Sequence, residues 1–163
     1  MSAGISYRFA PWAAVGLIGL VGGGVVWFRQ AMEVPSMLTP QDAQVVALGK
    51  QVYTQHCASC HGADLKGQPD WQRRSADGLL PAPPHDESGH TWHHPAQVLF
   101  DITKYGVQKF AGADYQSAMQ PYEGVISDAE IVAVLSYIKS TWPARVQRVH
   151  NQIEEDAHRK VGH

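Results

Sequence analysis

The sequence predicts an all-α domain of about three to four short helices, preceded by one N-terminal transmembrane helix. Apolar residues recur at helical spacing in three segments bounded by cap and stop residues, and no stretch alternates as a strand would. An 18-residue run without a charge, residues 11–28, stands near the N-terminus. With 44% apolar and 17% charged residues, the composition is that of a folded chain and not a disordered one.

The uncharged run, PWAAVGLIGLVGGGVVWF, is just long enough to span a bilayer as a helix. Trp12 and Trp27 stand near its ends, where indole rings favour the headgroup zone, and Arg8 precedes it. That bias places the N-terminus on the cytoplasmic side and exports the rest. A cleaved signal peptide is the alternative, but no small-x-small cleavage site follows around Val26–Ala31. Residues 1–28 are therefore expected to be an uncleaved membrane anchor. Gly19 and Gly23 would let a second helix approach closely, although membrane helices also simply tolerate glycine.

Residues 29–38 read as a linker. A first helix is expected from Thr39, with Thr39 as N-cap and Pro40 in the first turn, running into the cysteine pair. Residues 62–94 are rich in Gly and Pro and read as a long loop, which in a compact domain is usually functional. Pro95 opens a second helix with Val98, Leu99, Ile102 and Tyr105 on one face and Gly106 as its stop. Ser127–Asp128–Ala129–Glu130 is a capping box that starts a third helix, striped by Ile131, Val134, Leu135 and Ile138 and ended by Pro143. Residues 144–163 read as a polar tail with a weak stripe at Val146, Val149, Ile153 and Ala157, either extending as a solvated helix or docking on a partner, and its histidines, His150, His158 and His163, as surface residues.

The formal charge of −2 leaves no basic patch for nucleic acid. Arg8 and Arg29 are the only cationic side chains before residue 30, so the remainder is mildly acidic and suits a basic partner surface.

The chain has two cysteines, in Cys57–Ala58–Ser59–Cys60–His61. Zinc would want a second ligand pair, which is missing, and a thioredoxin-like motif would want a βαβ setting. The adjoining histidine points instead to one covalent haem c. The thiols of Cys57 and Cys60 would form thioethers, and His61 would be an axial iron ligand. Met119, the only methionine after the motif, is the expected second axial ligand. It stands in the irregular Ala118–Met119–Gln120–Pro121 segment, where a core methionine is not expected. His85, His90, His93 and His94 are its rivals, or else a copper or zinc site, propionate partners or a cap for the Pro95 helix.

Gly49, Tyr53, Cys57–Gly62, Met119–Pro121, Ser127–Ile131, Tyr137–Ile138 and Trp142–Pro143 together resemble a class I c-type cytochrome over residues 39–143. The resemblance implies a small cytochrome c fold wrapped round one haem. Its first and last helices would cross near Gly49 and Tyr137. A carbonyl from Leu80–Pro84 would accept the His61 Nδ1–H bond, leaving open which one. Trp71, Arg73, Arg74, His90 and Trp92 are candidates to touch the propionates.

The expected function is electron transfer without catalysis, since six-coordinate iron leaves no place for a small-molecule substrate. Membrane-linked bacterial cytochromes are similar, which implies the inner membrane, a single pass and a haem domain on the periplasmic side, with redox proteins as partners. Three alternatives stand beside this: a subunit of a larger membrane oxidoreductase, a haem enzyme or sensor with an open site, and a metal-binding module built on His85–His94.

Overall fold

The computed structural model describes residues 36–112 and 114–161, which belong to one compact unit. The expected anchor at residues 1–28 lies outside the described residues. Among the described residues no helix is long and apolar enough to cross a membrane.

Six α-helices follow one another, with no strand among the described residues. They are α1 (Ala43–His56), α2 (Ala58–His61), α3 (Ala96–Tyr105), α4 (Gln108–Ala111), α5 (Asp128–Thr141) and α6 (Ala144–Val161), with a 3-10 turn at Thr91–His93 before α3.

Helix α1 starts three residues later than the Thr39 cap would put it. Asp42 caps it instead, its carboxylate accepting the N–H groups of Gln44 and Val45 at 2.9 and 3.2 Å. A carboxylate that takes two of the orphan donors is the stronger cap. Thr39 closes the preceding turn by accepting Asp42 N–H, and its own N–H donates to Ser136 Oγ on α5 at 3.0 Å.

Helices α1 and α5 form the central pair. Gly49 sets their closeness: a Cβ there would overlap the Ala133 carbonyl and lie 2.8 Å from Tyr137 Cβ. The α5 stripe is buried as expected, with Ile131, Val134, Leu135 and Ile138 no more than 5% exposed. Its capping box is complete. Glu130 Oε2 accepts Ser127 N–H at 2.8 Å, and Ser127 Oγ accepts Glu130 N–H at 3.3 Å.

Helix α3 stops at Gly106, whose φ of +89° suits glycine. Its buried face is Ala96, Leu99 and Thr103. Tyr105, expected inside, is exposed, with the Lys109 ammonium 4.1 Å from its ring centroid. A phenol gains a cation contact there without burying its hydroxyl.

The segment read as a polar tail forms an 18-residue helix that packs through Val146, His150 and Glu154. His150, expected at the surface, is fully buried, 5.2 Å from the Trp142 ring. The i, i+4, i+8 spacing of this stripe was hidden because two of its three members are ionisable. Glu154 accepts Ala96 N–H at the start of α3, whose N-cap, Pro95, offers no side-chain cap of its own. Lys139 of α5 is buried beside them and donates to Asn151 Oδ1 at 2.7 Å.

Two outcomes follow for stability. Gly49→Ala is expected to force α1 and α5 apart and to cost about 3 kcal/mol or more, read by denaturant unfolding. Burial, with the Lys139 ammonium nearby, holds His150 down to about 4 from 6.5. Glu154 Oε1, 3.5 Å from its Nε2, does not reverse this. The unfolded chain therefore takes up a proton between pH 6.5 and 4 that the folded chain refuses. Stability due to this group is full above pH 6.5 and falls as pH drops through that window, by roughly 3 kcal/mol at most. His150→Leu should lose that part of the pH slope. A slope equal to the wild type would mean that the imidazole is not held neutral.

Candidate haem-attachment site

Helix α1 ends at His56, and the chain re-enters a single helical turn at once. Cys60 and His61 N–H both bond back to the Cys57 carbonyl, at 3.1 and 2.9 Å. One turn therefore carries Cys57, Cys60 and His61. Tyr53, one turn earlier, locks its exit, donating its hydroxyl to the Gly62 carbonyl at 2.9 Å. Cys57 is half-buried, Cys60 is exposed, and both are free thiols. Burial, aided by Cys60, pushes the Cys57 thiol up to about 11. It is thus protonated at neutral pH and is no activated thiolate, which fits a redox disulfide poorly.

His61 is 7% exposed, and its Nδ1 lies 2.8 Å from the Pro83 carbonyl oxygen. A carbonyl only accepts, so Nδ1 carries the proton and Nε2 keeps its lone pair. Burial lowers the pKa of His61 despite the Pro83 bond, so the ring is neutral at pH 7. A neutral imidazole with its outer nitrogen bare is the form that binds iron. These residues fit a covalent haem.

Two glycines hold the Pro83 carbonyl in place. A Cβ on Gly67 would lie 2.6 Å from Ala82 O and Pro83 C, and one on Gly89 would overlap the Pro84 carbonyl. The 82–84 segment is thus clasped between two bare backbones. Gly67 N–H bonds the His61 carbonyl at 2.8 Å, and Gln68 N–H bonds Ala82 O at 2.9 Å, tying clasp and haem motif together. The long loop is therefore a folded support. The family resemblance implies an acceptor among five residues; nothing local distinguishes Pro83 from its neighbours, because the choice depends on glycines 16 residues before and 6 after it.

Met119 is half-buried against the hydrophobic core. Its loop is pinned three residues on, where Tyr122 Oη donates to the His56 carbonyl at 2.6 Å, beside Cys57. Tyr122 and Glu123 N–H also bond the Thr103 and Lys104 carbonyls at the end of α3. The fold thus brings the Met119 loop to the haem motif.

The histidines of 85–94 do not converge on one point, although His90 and His94 meet edge-on with ring centroids 5.6 Å apart. His85 stacks on His61 with ring centroids 4.0 Å apart. His90 stacks on Trp71, and His93 on Trp92. Among the described residues no three His, Cys, Asp or Glu side chains converge to hold a metal. Arg74 donates to the Gly78 carbonyl at 2.6 Å and lies over the Tyr115 ring, while Trp92 Nε1 donates to Glu87 O. Their polar ends thus have protein partners already.

A neutral, edge-pinned imidazole beside two thiols in one turn, inside a crossed-helix fold, defines a covalent haem-binding domain. The chain belongs to the cytochrome c family, whose profile matches residues 46–142, more than half of the chain. Its cofactor is haem c, attached covalently, and its chemistry is haem-based electron transfer. The chain is also similar to a nitrite reductase of Stutzerimonas stutzeri, 26% identical over 77% of this chain and 20% of that protein. It thus spans about a fifth of that relative's length. No solved structure gives a significant match.

Tyr122→Phe is expected to remove the tie between the Met119 loop and His56, at about 1 kcal/mol of stability, with helical content unchanged by circular dichroism.

Proposed function

We propose that this protein is a single-haem electron carrier with His61 and Met119 as axial ligands and Cys57 and Cys60 as the thioether anchors. The observation that carries the reading is the His61–Pro83 hydrogen bond, which leaves Nε2 bare and neutral. When bound, haem c supplies reversible one-electron exchange at iron. His61 gives the iron a nitrogen whose basicity its Pro83 bond raises. Met119 gives a soft, neutral thioether that favours reduced iron. His85 is a poor rival for the second position, because it stacks on the face of His61 and so lies on that ring's side of the iron.

The haem domain works on the periplasmic side of a bacterial inner membrane, held there by residues 11–28 as a single-pass anchor. Its partners are redox proteins, and its acidic balance suits a basic docking face. A second reading, a cytochrome c subunit of a larger membrane oxidoreductase, draws on the nitrite reductase relative, in which the matched length is a minor part of the chain. Co-purification of a partner in mild detergent would favour that reading over a free-standing carrier.

The ligand assignment is tested by Met119→Ala. The wild type should show a low-spin spectrum with a methionine–iron charge-transfer band. The variant should lose that band, bind carbon monoxide rapidly when reduced, and have a lower potential. A variant that keeps band and potential unchanged would remove Met119 from the iron.

A further inference from the structure

One hydrogen bond holds a ring by one edge. The bond from His61 Nδ1 to Pro83 leaves the imidazole free to rock about the line through that bond. What removes this freedom is a second ring lying flat against its face. The His85 imidazole is 4.0 Å away, centroid to centroid, with the two planes 25° apart.

His85 is itself held more firmly than a packing residue needs to be. Its N–H donates to the Leu65 carbonyl at 2.7 Å, and its carbonyl accepts Trp142 Nε1–H at 2.7 Å. Its ring Nδ1 shares a 2.9 Å hydrogen bond with Thr91 Oγ1, which turns in the ring plane. Thr91 is buried and also reaches the Pro84 carbonyl, next to the residue that holds His61. Tyr53 meets the His85 ring edge to face, with centroids 6.1 Å apart and planes at 72°. The His85 ring is thus fixed in position by its backbone and in rotation by Thr91.

We propose that His85 is a positioning residue that sets the ring plane of the axial imidazole: the Thr91–His85 pair orients His61 by stacking, where Pro83 alone would fix only an edge. This rests on His61 being the axial ligand. The plane of an axial imidazole decides which iron orbital carries the unpaired spin of the oxidised protein. The residue therefore acts on the electronic structure at iron and not only on stability.

The test uses the full chain carrying haem c, oxidised, observed by proton NMR and electron paramagnetic resonance. His85→Ala should reorder the four haem-methyl shifts, narrow their spread and broaden the low-field resonance. His85→Phe, which restores a ring face but not the Thr91 hydrogen bond, should return the methyl shifts most of the way to the wild type, to about where Thr91→Val leaves them. Thr91→Val should move the shifts in the same sense as His85→Ala but less, and it decides the matter if the alanine variant takes up no haem. Wild-type shifts in His85→Ala, or in Thr91→Val where only that variant matures, would overturn the proposal. So would a His85→Phe protein displaced as far as the alanine variant, since the ring face would then not be what matters. Absence of a shifted axial-histidine ring resonance in the wild type would instead overturn the assignment of His61 itself.

Discussion

The hydrogen bond between His61 Nδ1 and the Pro83 carbonyl joins the two halves of this structure. On one side stands a helical turn that any Cys-x-x-Cys-His segment could form. On the other stands a proline-rich segment with few backbone donors to compete for its carbonyls. The bond decides which nitrogen of the ring is bare, and burial decides that the ring is neutral. Without the first, the imidazole would be free to take the other tautomer; the second lowers its pKa further and so favours the neutral ring. The glycine clasp, the Tyr53 lock and the loop anchored by buried Leu65 all bear on the relative position of these two groups.

Part of this was legible from residue types alone. Cys57, Cys60 and His61 have spacing-dependent chemistry, and the Ser127–Glu130 capping box is local, so neither needs knowledge of the fold. The buried α5 stripe followed from periodicity for the same reason. The glycine at the α1–α5 crossing was expected from the family resemblance, and a clash at Ala133 explains it. The start of α1 is ambiguous in the sequence because Thr39 and Asp42 are both good caps; the Asp42 carboxylate takes two of the orphan donors, while the Thr39 N–H is tied to Ser136, 97 positions away.

The burial of the C-terminal helix is hidden in the sequence for a different physical reason. Hydrophobic periodicity detects faces that bury carbon, and α6 buries charge and imidazole. Val146 is the only ordinary core residue of its three buried positions. Such a face becomes recognisable only with its partners in view: the orphan N–H at the start of α3, the Lys139 ammonium and the Trp142 ring. The family match ends at residue 142, but the compact unit continues through α6.

That extra helix bears on the haem motif through a short chain of contacts. Glu154 of α6 caps α3, whose start directly follows the 3-10 turn containing Thr91. His150 packs on Trp142, and Trp142 donates to the carbonyl of His85. Both ends of the His85 support, the hydroxyl that turns its ring and the indole that holds its backbone, thus rest on residues that α6 contacts or follows. A buried carboxylate and a buried neutral imidazole are costly ways to dock a helix when leucines would serve. The direction of the carboxylate is informative, because it must meet the Ala96 donor where a leucine can slide. A polar docking face fixes the register of α6 against the Thr91 turn, and register is what a support for the His61 ring requires.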